Sequence, residues 1–250
     1  MKYATRVLLA RAAVLGSIGL LLEIGPRLSP GSKLAILPLS EMIVGVYLVA
    51  MSGKLYANLA VSLASIATAF FSATLLGIAL GYLLWRLPRV YGAVSSYLTS
   101  YYAIPIFAFY PVMIVMFGAN RIPIVLIAFA WAIVAVIIAT VEGLAHLRST
   151  WDKMADAYHV GPVRRAVTIH LVGAWPQIAT GVRLAVTYSM IGVIASEFIL
   201  SDSGIGYMVH LYYNSFEFRE MWGAILVVFA LGILLDSASR LGTKRMTANR

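Results

Sequence analysis

The sequence predicts an all-α membrane protein that crosses the bilayer about six times. Of its 250 residues, 61% are hydrophobic and only 12% are charged, whereas soluble domains carry about 25% charged residues. The mean hydropathy is +0.89, and basic residues stand at the edges of long apolar stretches. A soluble fold could not cover its surface with so few polar side chains, so lipid must surround much of the chain.

Six apolar stretches reach, or can be extended to reach, the roughly 20 residues that a transmembrane helix needs. The predicted helices lie near residues 5–24, 58–84, 93–117, 121–143, 174–200 and 219–238. The first begins with basic residues but lacks a small-residue cleavage site, so we interpret it as a retained span and not as a signal peptide.

The basic residues predict that both termini are cytoplasmic. With the N-terminus inside, only five of the 19 Lys and Arg residues fall outside, and the remaining 14 are cytoplasmic, as the positive-inside rule requires. Residues 26–38 contain three prolines and are expected to form an irregular external connection. The following stretch, up to Gly53, is expected to lie along the outer interface.

Composition also excludes several functions. The net charge of +9 would suggest nucleic acid in a soluble protein, but here the basic residues flank apolar stretches, so no nucleic-acid partner is expected. The absence of cysteine excludes disulfides and thiolate metal sites. His146, His159 and His170 share one predicted loop without metal-site spacing, and no phosphate-binding loop occurs. We therefore predict no metal, no cofactor and no catalytic residue, and do not expect an enzyme.

The loop at residues 149–172, between the fourth and fifth spans, is the most informative segment. Ser149 and Asp152 resemble a capping box that starts a helix, and Gly161 followed by Pro162 predicts a sharp corner between two short helices. Trp151, Met154, Tyr158 and Val160 would offer apolar surface outside the membrane. Composition alone leaves two interpretations open, a docking surface or an ordinary loop that packs on its own protein.

A family resemblance rests on this loop and on four further motifs. Ala155-Asp156-Ala157, followed after three residues by Gly161, resembles the EAA motif of ABC importer permeases. Residues 176–185 are similar to the P-x-I-x-x-G-x-R-x-A stretch of the nitrate/sulfonate/taurine branch. Residues 195–198 and 204–207 match its A-E-F and G-L-G-Y signatures, and residues 104–118 match its I-P…P…F-G segment. The resemblance extends over about residues 55–240; Ala155 departs from it, because the family has Glu there.

This resemblance implies a type I ABC importer permease, with residues 1–250 as one transmembrane domain in the cell inner membrane. The implied partners are cytosolic ABC ATPases, a periplasmic or lipid-anchored substrate-binding protein, a second copy of the chain and membrane lipid. The implied solute is small, either an organic anion such as a sulfonate or an aromatic, heterocyclic, vitamin-like compound. The residues implied in ATPase coupling are Ala155, Asp156, Ala157, Tyr158, Gly161, Pro162 and Arg164.

The third and fifth spans are predicted to line the translocation pathway. Pro105 and Pro111 interrupt the third span, and broken membrane helices occur beside protein or water. An ionisable residue within a span is a functional candidate. The predicted pathway residues are Tyr97, Tyr101, Tyr102, Tyr110 and Glu197. The alternatives are a packing kink and an interfacial aromatic belt.

Two further residue pairs have simple structural interpretations. Gly77 and Gly81 form a G-x-x-x-G, which serves either dimerisation or packing within the chain. Asp236 and Arg240 have the spacing of a helical ion pair. An ATP-independent channel or secondary carrier, and a membrane-embedded enzyme, remain the alternative functions.

Overall fold

The computed structural model describes residues 2–28 and 36–248, and these residues form helices and turns without any strand. The eleven α-helices within these ranges are α1 (Lys2–Leu28), α2 (Leu39–Met51), α3 (Leu55–Arg86), α4 (Pro88–Ser100), α5 (Tyr110–Phe117), α6 (Arg121–Ala145), α7 (Ser149–Ala157), α8 (Pro162–Arg165), α9 (Leu171–Leu200), α10 (Ile205–Asn214) and α11 (Phe218–Ala248).

The prediction of about six spans is confirmed. In the described part of the chain, five helices are long and apolar enough to cross a membrane, and the bent pair α4–α5 supplies a sixth. Two boundaries differ from the prediction. Pro26 lies inside α1 and not in a loop. The predicted second short helix is not separate, because α8 continues into α9 through a π-helical turn, Ala166–His170.

The third span is broken near its middle. Short 3₁₀ turns, Tyr101–Ala103 and Ile106–Phe109, join α4 to α5, and the two halves meet at 85°. Pro105, which cannot donate a backbone hydrogen bond, lies at the break, as predicted. Pro111 does not cause a second kink. It lies in the first turn of α5, where a missing N–H is harmless.

Helix α6 is the centre of the bundle and packs mainly against α3 and α9. Close approach depends on small residues, because a Cβ on Gly77 would lie 2.7 Å from the Cβ of Val136. A Cβ on Gly81 would lie 2.6 Å from the Cβ of Thr140. The G-x-x-x-G of α3 therefore packs spans within the chain. On α11, Asp236 and Arg240 form the expected pair at 2.8 Å.

Helix α2 is held against the start of α11. The backbones meet at Gly45 and Gly223, where any side chain would collide with the opposite main chain. Nearby, Arg219 Nε donates to Glu41 Oε2 at 3.0 Å. Helix α1 is tied to α2 more sparingly, through Glu23, which accepts the backbone N–H of Ser40 at 2.9 Å. The first span is thus peripheral, and α2 belongs to the main bundle.

Candidate functional sites

The loop between α6 and α9 forms a projecting corner, as predicted, but different residues shape it. Arg148, not Ser149, is the N-cap of α7, and no side chain caps this helix end. The left-handed residue that ends α7 is His159, with φ +50°. Gly161 instead has φ −61° and is the N-cap of α8. The expectation of a capping box is therefore wrong, and the corner predicted at Gly161 and Pro162 turns at His159, with Gly161 beginning the next helix.

The outer side of this corner exposes apolar side chains. Met154, Tyr158 and Val163 are 59%, 79% and 76% exposed. Of the residues predicted to couple to an ATPase, Asp156, Ala157, Tyr158, Gly161, Pro162 and Arg164 are exposed. Ala155 is the exception at 1% exposure, because it packs on the inner side of α7. Exposed hydrophobic groups at a loop tip are typical of a protein-binding surface.

The inner side of the corner is braced against two spans. His170, only 2% exposed, lies between Asp152 of α7 and Tyr82 of α3. Its Nε2 lies 2.9 Å from Asp152 Oδ1, and its Nδ1 lies 3.0 Å from the Tyr82 hydroxyl. Because a carboxylate only accepts, Nε2–H donates to Asp152; in the neutral imidazole, Nδ1 then accepts from the Tyr82 hydroxyl. We call Asp152, His170 and Tyr82 the brace.

Two further contacts stiffen the same corner. The indole ring of Trp151 packs on Gly173, where a larger residue would collide with it. Arg165 pairs with Asp156 and lies 3.8 Å from Asp152. These contacts link helix α7 to the adjoining end of α9, and His170 links it to α3.

At the opposite end of the bundle, Glu197 is fully buried. One of its carboxylate oxygens accepts from the Ser62 hydroxyl at 2.7 Å and from the backbone N–H of Gly206 at 3.1 Å. Arg121 lies 3.5 Å away. The carboxylate thus stands at the N-terminus of α10, where a helix favours negative charge.

Gly204 makes this arrangement possible. Its φ of +106° is strained for residues with a side chain. A Cβ at this position would also collide with the carboxylate of Glu197. Its backbone N–H donates to Asn58 Oδ1 at 2.7 Å. Glu197 therefore joins α3, α6 and α10 at this end of the bundle.

A cavity of about 410 Å³ lies between α6, α9 and the break in the third span. Tyr102 and Tyr188 line it near the break, and Gln177, Thr180 and Glu142 line it toward the coupling corner. We call it the inner cavity. Its volume lies within the range of small-molecule sites.

The structure places the predicted pathway residues in different surroundings. Tyr102 lines the inner cavity. The ring of Tyr101 contacts the ring of Tyr102 edge-on, at 6.0 Å between ring centroids. Tyr97 is 78% exposed, on α4. Tyr110 is 1% exposed within the core formed with Ile124 and neighbouring residues. Glu197 and Tyr110 therefore contribute to packing between spans and do not border this cavity.

Sequence reasoning missed Tyr188, Gln177 and Glu142 in the cavity and the role of His170. The sequence does indicate the cavity-lining residues of α9, because residues 177, 180, 184 and 188 are spaced so that they share one face of a helix. No comparable pattern pairs His170 with Tyr82, which is 88 residues distant.

Residues 73–248 match a protein-family model described as "binding-protein-dependent transport system inner membrane component". The chain belongs to this family. The predicted resemblance to ABC importer permeases is confirmed. The protein is an inner-membrane permease component and not itself a catalytic subunit.

Curated relatives support this membership. The permease is 25% identical over 197 residues to the taurine transport system permease protein of Escherichia coli (strain K12), covering 79% of this chain and 72% of the relative. It is 24% identical over 240 residues to a Bacillus subtilis (strain 168) permease named for aliphatic sulfonates transport, covering 96% and 83%. It is 26% identical over 183 residues to a nitrate import permease of Leptolyngbya laminosa, covering 73% and 66%.

A solved structure confirms the predicted fold. The permease matches a chain of the MetNI methionine ABC transporter with a TM-score of 0.65 and 17% identity, covering 78% of this chain and 97% of that chain. The fold is therefore that of a type I ABC importer permease.

Proposed function

We propose that the permease forms the solute pathway of an ATP-driven importer and couples to a cytosolic ATPase through the α7–α8 corner. The observation that carries this proposal is the corner itself, with an exposed apolar outer side and a buried, braced inner side. A loop that merely packed on its own protein would not leave Met154, Tyr158 and Val163 exposed together.

The brace gives this coupling a physical route. An ATPase that moves α7 pulls on His170 through Asp152, and His170 lies at the π-helical start of α9 and contacts Tyr82 of α3. Two copies of the permease would enclose a path, with both termini cytoplasmic and a binding protein delivering solute outside. ATP then biases an equilibrium between inward-open and outward-open states.

We propose that the third and fifth spans line the translocation pathway. Tyr102 has the strongest support because it borders the inner cavity, and Tyr101 lies beside it. Tyr97 is exposed on α4, where a second copy or lipid would cover it. We assign Tyr110 and Glu197 an indirect part, which is to hold the walls of the path in register.

The proposed solute is small. Relatives are named for taurine, aliphatic sulfonates and nitrate, which supports an anion. The tyrosines beside the break in the third span support an aromatic or heterocyclic compound equally well.

Replacing Gly161 by tryptophan tests the coupling. A Cβ there meets no atom within 4 Å, and φ is ordinary, so the variant is expected to fold. The bulky ring should obstruct the docking corner and lower transport per ATP hydrolysed about tenfold or more. Uptake and ATPase activity of the reconstituted importer are measured together. Gly16→Trp, equally open on α1, is the control. Wild-type coupling in Gly161→Trp would refute the docking role.

Cysteine labelling tests the proposed orientation. The chain has no cysteine, so a thiol reagent labels only the single cysteine that each variant introduces. Lys54→Cys and Asp202→Cys are expected to react with an impermeant thiol reagent from outside, and Lys153→Cys only after the membrane is opened. All three positions are exposed. The reverse pattern would invert the topology inferred from the basic residues.

A further inference from the structure

The inner cavity has an aromatic end and a polar end. Near the break in the third span, the rings of Tyr102 and Tyr188 lie 5.3 Å apart, and Tyr188 stacks on Trp131 at 5.6 Å and 27°. Along α9, Thr180 and Gln177 continue the lining toward the coupling corner, where Glu142 of α6 completes it. A solute that passed through would meet rings first and a carboxylate last.

The charge of this lining is distinctive. Among the described residues, no Lys, Arg or His lines the cavity, and Glu142 is the one carboxylate there. Glu142 is exposed and takes part in none of the ion pairs found in that part of the chain. Arg183 is the basic residue nearest along α9; it lies about a quarter of a turn from the centre of the face that carries Thr180 and Leu184, and it does not line the cavity.

Both features disfavour an anion. The faces of aromatic rings carry partial negative charge, so they repel anions and attract cations or the edges of other rings. An unpaired carboxylate repels an anion directly. A nitrate or sulfonate site would instead be expected to present Arg, Lys or backbone N–H groups.

We propose that the inner cavity binds a planar nitrogen heterocycle that is neutral or singly positive. Tyr102 and Tyr188 supply ring faces, Gln177 and Thr180 supply hydrogen bonds to ring nitrogens or their substituents, and Glu142 attracts positive charge at the exit. This inference rests on the proposed importer function and selects one of its two solute classes. It separates this permease from relatives named for inorganic and sulfonate anions.

A binding experiment tests the charge and shape preference. The permease–ATPase complex in lipid nanodiscs is titrated with three probes of similar size, followed by saturation-transfer NMR. The probes are 1-methylnicotinamide, which is cationic, nicotinamide, which is neutral, and benzenesulfonate, which is anionic. The cation and the neutral ring are expected to bind at least about tenfold more tightly than the anion.

Variants assign the binding to this cavity. Glu142→Gln should weaken the cation about fivefold and leave nicotinamide unchanged. Tyr188→Leu should weaken both rings about tenfold, while Tyr188→Phe keeps them. Tyr213→Leu, an exposed tyrosine on α10, is the control. If Tyr188→Leu fails to assemble, Glu142→Gln alone decides, since its side chain is exposed.

Two results would overturn the proposal. One is benzenesulfonate binding as tightly as 1-methylnicotinamide. The other is probe binding that is unchanged in both Glu142→Gln and Tyr188→Leu. Failure of the importer function itself would appear differently, as a permease that does not copurify with an ATPase.

Discussion

Replacing Glu197 by alanine is expected to destabilise the permease by about 2–5 kcal/mol, because it leaves two buried hydrogen-bond donors unsatisfied, at about 1–3 kcal/mol each. The carboxylate is fully buried and accepts from Ser62 and from the N–H of Gly206. Its loss leaves these two donors without their acceptor, whereas Arg121 still donates to the hydroxyls of Ser65 and Ser203. Thermal unfolding in detergent and hydrogen exchange across residues 201–214 measure the effect, which should be largest in α10.

Two matched variants sharpen this prediction. Glu197→Gln keeps the size and one accepting oxygen, so it should cost less than half as much. Asp236→Asn removes a carboxylate from an exposed pair on α11, and such pairs contribute only about 0–1 kcal/mol. If Glu197→Ala unfolds at the same temperature as Asp236→Asn, the capping role of Glu197 is wrong.

Replacing His170 by alanine is expected to uncouple transport from ATP hydrolysis. The change removes two hydrogen bonds, to Asp152 and to the Tyr82 hydroxyl, each worth about 0.5–1.5 kcal/mol, and it disconnects α7 from α3. We expect transport per ATP hydrolysed to fall about tenfold while the ATPase still copurifies, because the exposed outer side of the corner is untouched. The ratio of uptake to hydrolysis in proteoliposomes is the measurement.

Three variants distinguish coupling from general damage. His146→Ala changes an exposed histidine near the same loop and should keep the wild-type ratio. Tyr82→Phe removes one of the two hydrogen bonds and should cause a smaller loss. His170→Gln can still donate to Asp152 and should recover part of the coupling. Equal coupling in His170→Ala and wild type would show that the brace is only structural.

The sequence was sufficient for the spans because their signal is local. Hydropathy located six apolar segments, and Pro105 marked the break in the third span, since a missing N–H has its effect where it occurs. The corner after α7 was also predictable, from Gly161 and Pro162. Its left-handed residue was not, because His159 adopts φ +50° in a turn where glycine would ordinarily be chosen.

The site residues were harder to predict because their partners are distant in sequence. Ser62 and Glu197 are 135 residues apart, so the sequence showed a lone acid in a span and suggested a pathway residue. The structure shows in addition that this carboxylate accepts a backbone N–H at the start of α10. The inner cavity likewise combines α6, α9 and the broken span, and only the regular spacing along α9 was visible beforehand.

We expect the 85° break in the third span to affect the speed of the proposed transport cycle. An intact helix that bends during the cycle must rupture backbone hydrogen bonds in a medium without water, which raises the barrier. Here the bonding of a continuous helix is already interrupted by 3₁₀ turns: the Ile104 N–H donates to the Tyr101 carbonyl at 3.1 Å, and the Ala108 N–H donates to the Pro105 carbonyl at 2.9 Å. The two halves can therefore reorient by rotating a few dihedral angles, so that solute delivery and ATP turnover, and not helix rupture, would limit the rate.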